Sequence, residues 1–174
     1  MEFDFGNLLR QYLGGAQGAN PDKVADDFQQ VAQTATPAAI GSGVAEALRS
    51  DQTPPFPQMV GQLFGNGDSQ QRAGMLNQLI SGLSPALLGS LGGGLGGLFA
   101  GNSAEDKNTP ISPEQAAQLG PEQVRQIAAR AEQNDPGIVD KMGDFYAAHP
   151  TLVKTIGAAA LAIVMGKMAE KMRN

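Results

Sequence analysis

Proline placement constrains this chain more than any other feature. Pro21, Pro37, Pro85, Pro113, Pro121, Pro136 and Pro150 each head a run with helical periodicity. Proline has no amide hydrogen and its ring clashes inside a helix, but at the first helical position neither defect matters. The residues in front of them are Asn20, Thr36, Ser84, Ser112, Gly120, Asp135 and His149. Most of these are good N-caps, because a short polar side chain can accept from the first free backbone amides. The chain is thereby cut into short helical segments.

Apolar residues within those segments fall at helical spacing. Phe5, Leu8, Leu9 and Tyr12 fit one face, as do Val24, Phe28 and Val31. Met75, Leu76, Leu79, Ile80 and Leu83 form another stripe. Val124, Ile127, Ala128 and Ala131 follow the same rule, then Ile138, Met142, Phe145 and Tyr146. Such stripes face a core. Period-two alternation is missing, and Asn66-Gly67 lies between helical patterns rather than β-branched runs. The expectation is an all-α fold of seven to nine mostly short, proline-capped helices. It includes a Gly-rich close-packing helix and a long C-terminal helix.

A faint repeat runs through this pattern. Pro21-x-x-Val24 leads to Pro37-x-x-Ile40 and then Pro57–Leu63; about a hundred residues on, Pro121-x-x-Val124 leads to Pro136-x-Ile138-Val139 and then Pro150–Ile156. Each copy reads as three short helices. Duplication and the general likeness of proline-capped amphipathic helices both account for it. The loops expected are Gly14–Asn20, Asp51–Phe56, Gly65–Ser69 and Gly101–Pro110. The polar stretch 102–111 reads as a linker between an N-terminal module, 1–101, and a C-terminal module, 112–174.

Composition narrows the function classes. The 174 residues suit one domain or two very small ones. With no cysteine, the chain has no disulfide, thiolate nucleophile or thiolate metal ligand. Net charge is −5, yet residues 150–174 carry Lys154, Lys167, Lys171 and Arg173 against Glu170, a net +3, so the remainder is −8. An acidic body with scattered cations predicts no nucleic-acid binding. The basic tail suits either a helix C-terminus, whose dipole it offsets, or an anionic lipid surface. The start Met-Glu-Phe-Asp-Phe has no basic region ahead of an apolar stretch, so no secretory signal is expected. The expected location is the cytoplasm, with membrane association as the alternative.

Gly89, Gly93, Gly97 and Gly101 recur every four residues within Pro85–Gly101. On a helix they share a smooth side with Gly92, Gly96 and Ala100; Leu87, Leu88, Leu91, Leu95, Leu98 and Phe99 take the other. A smooth side admits a second backbone at close range. Each helical glycine costs about 0.8–1 kcal/mol relative to alanine, so a neighbour must offset the sum. Three settings could do so or avoid the need: a protein helix, a membrane, or a linker with no helix. As a helix, 85–101 spans about 25 Å, short of the roughly 30 Å of hydrocarbon. The regular leucines oppose a linker. A protein neighbour, including a second copy, is favoured. The G-x-G-x-x-G match at Gly92–Gly97 carries no weight without a preceding strand.

Thr151–Arg173 reads as the longest helix. Ala158, Ala162, Gly166 and Ala169 make a second small-residue seam, and Leu161, Met165, Met168 and Met172 an apolar stripe. Residues 152–164 are expected in the core. Met165, Met168 and Met172, flanked by Lys167 and Lys171, are candidates for a partner or membrane face.

Chemistry-bearing patterns are sparse. His149 is the lone histidine and precedes Pro150, which suits a turn residue. No histidine–carboxylate cluster has metal-ligand spacing. Asp26-Asp27 and Asp140/Asp144 are the nearest carboxylate pairs, and neither pair has visibly different surroundings, as acid–base work needs. Ser42 in Gly41-Ser42-Gly43 lacks the full nucleophile-elbow motif and the strand before it. No enzyme activity, cofactor or metal is expected.

The run Leu87–Gly101, followed by Ser-Pro-Glu-Gln at 112–115, resembles the YidB-like family of small bacterial proteins. The resemblance covers the central third of the chain. It implies a helical protein of bacterial type with no securely assigned enzymatic activity. The proline-capped N-terminal module and the tail Pro150–Asn174 depart from that pattern, so no family site carries over. The resulting expectation is a non-enzymatic structural or interaction protein. It would self-associate as a homo-oligomer, or bind a protein partner, through Gly89, Gly93, Gly97, Gly101, Ala158, Ala162 and Gly166. The alternative is membrane association through 80–101, the C-terminal helix, or both.

Overall fold

The structure, a computed structural model, describes residues 5–13, 20–91 and 110–173. Every regular element among them is helical. The first half holds α1 (Phe5–Arg10), α2 (Pro21–Thr34), α3 (Pro37–Arg49), α4 (Phe56–Asn66), α5 (Ser69–Ser81) and α6 (Pro85–Ser90). The second half holds α7 (Pro113–Ala117), α8 (Pro121–Asn134), α9 (Ile138–Ala147), α10 (Pro150–Val153) and α11 (Ala158–Arg173). A 3₁₀ turn, Lys154–Ile156, joins the last two. The all-α expectation holds; the helices number eleven among the described residues, more than the seven to nine expected.

The caps explain the starts. Asn20 accepts from the Asp22 amide and Thr36 from the Ala39 amide, each ahead of a proline at the helix start. Ser112 and Gln115 form a reciprocal capping box, as do Asp68 and Gln71 at α5. Asp135 departs from expectation. It follows the last residue of α8 and accepts from the Gly137 amide at 3.0 Å, so α9 starts only at Ile138. The expected continuous helix from Thr151 is also broken. Gly157 has φ +97°, a left-handed conformation that glycine adopts without a Cβ clash, and α11 begins after it.

The stripes read from sequence are buried as expected. Val24, Phe28, Met75, Leu76, Leu79, Val124, Ile127, Ala128, Ala131, Ile138, Met142 and Tyr146 are fully enclosed. Residues from both sides of the 102–111 stretch enter one hydrophobic core.

That core is shared because the halves interlock. α11 packs against α1, α2 and α3 of the first half, and α5 packs against α7, α8 and α9 of the second. α3 lies on α9 between them. α4 packs on α8 and also meets α10 and the 3₁₀ turn. Interchanging the halves reproduces most of this list. α1, α2, α3 and α5 take the places of α7, α8, α9 and α11, and α4 takes the place of α10 with its turn. α2 and α8 are both 14 residues long and start a hundred positions apart. The correspondence read from three prolines per copy thus extends through the contacts of five helices. It fails at one place. α10 and its turn are too short to embrace α2 as α4 embraces α8, and a hydrogen bond from Lys154 to Gln29 is the link found there.

Candidate functional site

At several helix crossings a glycine stands where an added β-carbon would collide with the facing helix. At the α3–α9 crossing, a β-carbon on Gly143 would lie 2.5 Å from the Gly41 carbonyl oxygen and 3.1 Å from the Ala45 β-carbon. One on Gly41 would meet the Asp144 carboxylate at 2.7 Å. A β-carbon added to Gly43 would lie 2.9 Å from the Val164 carbonyl oxygen of α11, and one on Gly166 of α11 2.8 Å from the Tyr12 carbonyl oxygen. One on Gly74 of α5 would lie 2.6 Å from the Phe145 ring of α9. Each of these contacts joins one half to the other.

The expected seam residues are placed as follows. Gly89 ends near the surface, and no atom of the described residues lies within 4 Å of the position its β-carbon would take. Gly93, Gly97 and Gly101 lie outside the described residues. Ala162 is fully buried, Ala158 packs at the edge of the core, and Gly166 abuts the turn after α1. The C-terminal seam is therefore occupied by this chain's own helices. Met165 and Met168 are fully enclosed in the core rather than displayed on a face. The side chain of Met172 lies outside the description. Lys167 and Lys171 are exposed.

Above the α3–α11 contact the two helices leave a groove of about 370 Å³ lined by Ser42, Glu46, Lys167, Glu170 and Lys171. Lys171 donates to the Ser42 hydroxyl at 2.5 Å, and Lys167 pairs with Glu170 at 3.0 Å. The Glu170 carboxylate holds the Lys167 ammonium above its usual range. The serine beside the lysine is not set up as a nucleophile. Ser42 lies in the interior of α3, where helix bonds occupy the backbone amides that would form an oxyanion hole. Lys171 is exposed and serves as a donor to the Ser42 hydroxyl. The groove's chemistry is that of a polar latch fastening α11 to α3.

A second polar contact is buried. The Tyr12 hydroxyl donates to Asp27 at 2.6 Å, fastening the turn after α1 to α2. Burial first, then the carboxylate it serves, pushes the Tyr12 hydroxyl well above its usual pKa. Arg49 of α3 forks onto Asp140 of α9, both bonds at 2.8 Å. That guanidinium holds the Asp140 carboxyl below the usual carboxylate range, and the carboxylate holds Arg49 above its own. His149 stacks on Phe145 with ring centroids 4.5 Å apart, and its Nδ1 lies 2.9 Å from the Phe145 carbonyl oxygen. Among the described residues, no group of His, Asp and Glu is arranged to hold a metal, and no helix is long and apolar enough to cross a membrane.

Sequence reasoning passes over Gly41, Gly43, Gly74 and Gly143 as packing residues. Gly41-Ser42-Gly43 is visible as a motif, but its small-residue signal is only two glycines long. Gly143 stands alone among larger residues. Comparison with family models, with curated proteins and with solved structures gives no match. The YidB-like resemblance therefore adds no site and no activity to this geometry.

Proposed function

We propose that this chain is a non-enzymatic interaction protein that self-associates through small-residue helix seams. The observation that carries the reading is the reciprocal packing. α11 packs on helices of the first half, and α5 packs on helices of the second, within one shared core. Each half thus presents a surface shaped for helices of the other, with backbone-close glycines at the crossings. Surfaces of that kind suit recognition and assembly. The polar groups near them are engaged in fastening helices, as at Lys171–Ser42, Tyr12–Asp27 and Arg49–Asp140.

Light scattering on the full chain across a wide concentration series tests this. A concentration-dependent rise above monomer mass is expected; monomer throughout removes the reading. Gly89→Leu adds an informative arm, because no described residue lies within 4 Å of the position its β-carbon would take. Loss of association with retained helicity would place Gly89 at a contact between copies. Flotation with anionic liposomes addresses the membrane alternative, and recovery of the protein with the lipid would favour that alternative.

A further inference from the structure

α1 is six residues long, too short to persist as a helix without tertiary support. Its main neighbour is α11. Among residues 6–8 and 10–13, Tyr12 is the buried side chain and Leu8 is half-buried; the others lie in solvent. The Tyr12 ring therefore anchors the segment. Its hydroxyl donates to Asp27, a carboxylate that is itself buried on α2, and Tyr12 is the one side-chain partner of Asp27 among the described residues. The backbone of the same residue is seated on Gly166, since its carbonyl oxygen lies 2.8 Å from where a β-carbon on Gly166 would stand. The next residue is not seated. Leu13 is 39% exposed, and a groove of about 200 Å³ lies among Leu13, Gln52, Ile163 and Lys167.

Lifting this segment has opposing effects. Tyr12 loses its burial and its hydrogen bond. Against that, the backbone of residues 5–13 regains its freedom, and a buried carboxylate regains water. The long helices beneath keep their own buried faces: α2 and α8 each bury an apolar stripe in the shared core.

We propose that residues 5–13 form a strap that opens and closes over α2 and α11 as a unit of its own, with Tyr12–Asp27 as the clasp and Gly166 as the seat. Closed, the strap covers Asp27 and Gly166. Open, it presents both to solvent while the rest of the core stays packed. Gly166 is one of the positions assigned above to helix association, so the strap controls access to it. Opening is a property of the single chain and does not depend on the association reading.

Native-state hydrogen exchange on the full chain, followed across urea concentrations below the unfolding transition, tests this. The reporters are the amides of Gln11 and Leu13, which bond to the Leu8 and Arg10 carbonyls, and the amide of Ala128 inside α8. Gln11 and Leu13 are expected to be protected, with exchange that barely responds to urea, as for an opening that exposes little surface. Ala128 should accelerate steeply, as for global unfolding. Tyr12→Phe keeps the ring and removes the clasp. Exchange at Gln11 and Leu13 should then rise roughly 10- to 100-fold, the span for loss of a hydrogen bond to a charged group, with the urea response still flat. Gly166→Ala sets a methyl against the Tyr12 carbonyl while favouring α11 as a helix. It should speed the same two amides several-fold and leave α11 protected. A urea response at Gln11 and Leu13 as steep as that at Ala128, or protection lost in α11 together with α1, means that strap and body open together and overturns the proposal. Unprotected rates at both amides, or no response to Tyr12→Phe, means a frayed end without a clasp and overturns it equally. Monomer mass at every concentration would remove the association reading and leave the strap standing.

Discussion

A single methyl group is enough to separate α3 from α9. Alanine has the higher helix propensity, by about 1 kcal/mol over glycine. At Gly143, however, that methyl would meet the Gly41 carbonyl, a backbone atom that cannot rotate away. Overpacking of this kind costs about 1–3 kcal/mol. Gly143→Ala should therefore destabilise the fold in urea titration, whereas Gly89→Ala, with no described residue within 4 Å of its added methyl, should be neutral or stabilising by up to about 1 kcal/mol. Equal effects at the two positions would contradict the crossing geometry. Tyr12→Phe removes the donor that satisfies Asp27 and leaves a buried carboxylate short of a partner. A loss of about 1–3 kcal/mol is expected, with faster hydrogen exchange in α1 as the local readout. None of this is legible in the sequence. A glycine that admits a neighbour looks there like a glycine that admits nothing, because the neighbour comes from the far half of the chain. Tyr12 and Asp27 each carry only a local signal, one as a stripe residue and the other as half of an adjacent carboxylate pair.

Elements are the most legible scale. Stripes at Val24–Val31, Met75–Leu83 and Val124–Ala131 mark the buried faces of α2, α5 and α8, because period and burial are both properties of a local segment. Proline positions mark most helix starts for the same reason. The departures also have local causes. Gly157 looks like one more small residue in an apolar run, and only its positive φ reveals the break before α11. Asp135, three residues ahead of Ile138, serves a turn rather than a cap. How elements are fastened shows in the Arg49–Asp140 fork. Asp140 has a lowered pKa, so the pair's contribution is complete above the ordinary carboxylate range and fades as pH falls through that lowered value. Both side chains are substantially exposed, which screens the pair and limits it to roughly 0.5 kcal/mol. Asp140→Asn should show that small deficit near neutrality, and the deficit should vanish in acid and shrink in high salt. Urea midpoints across a pH series would measure it.

At the scale of the molecule, the two-module division placed at 102–111 does not correspond to two separate cores. Met142 lies fully enclosed where α9 meets helices of the first half. Met142→Ala should cost about 2–5 kcal/mol. That loss should lower hydrogen-exchange protection in α3 and α9 alike. Protection lost in α9 alone would indicate modules that unfold independently. The interlock also sets an order of events during synthesis. Gly43 and the face of α3 around it emerge from the ribosome long before Val164 and Met168 of α11, which pack on it. At about 5–20 residues per second, the interval between Arg49 and Ala158 lasts roughly 5–20 s. Throughout that interval the nascent first half holds an apolar trough it cannot close. A chain halted before residue 158 would keep that trough open.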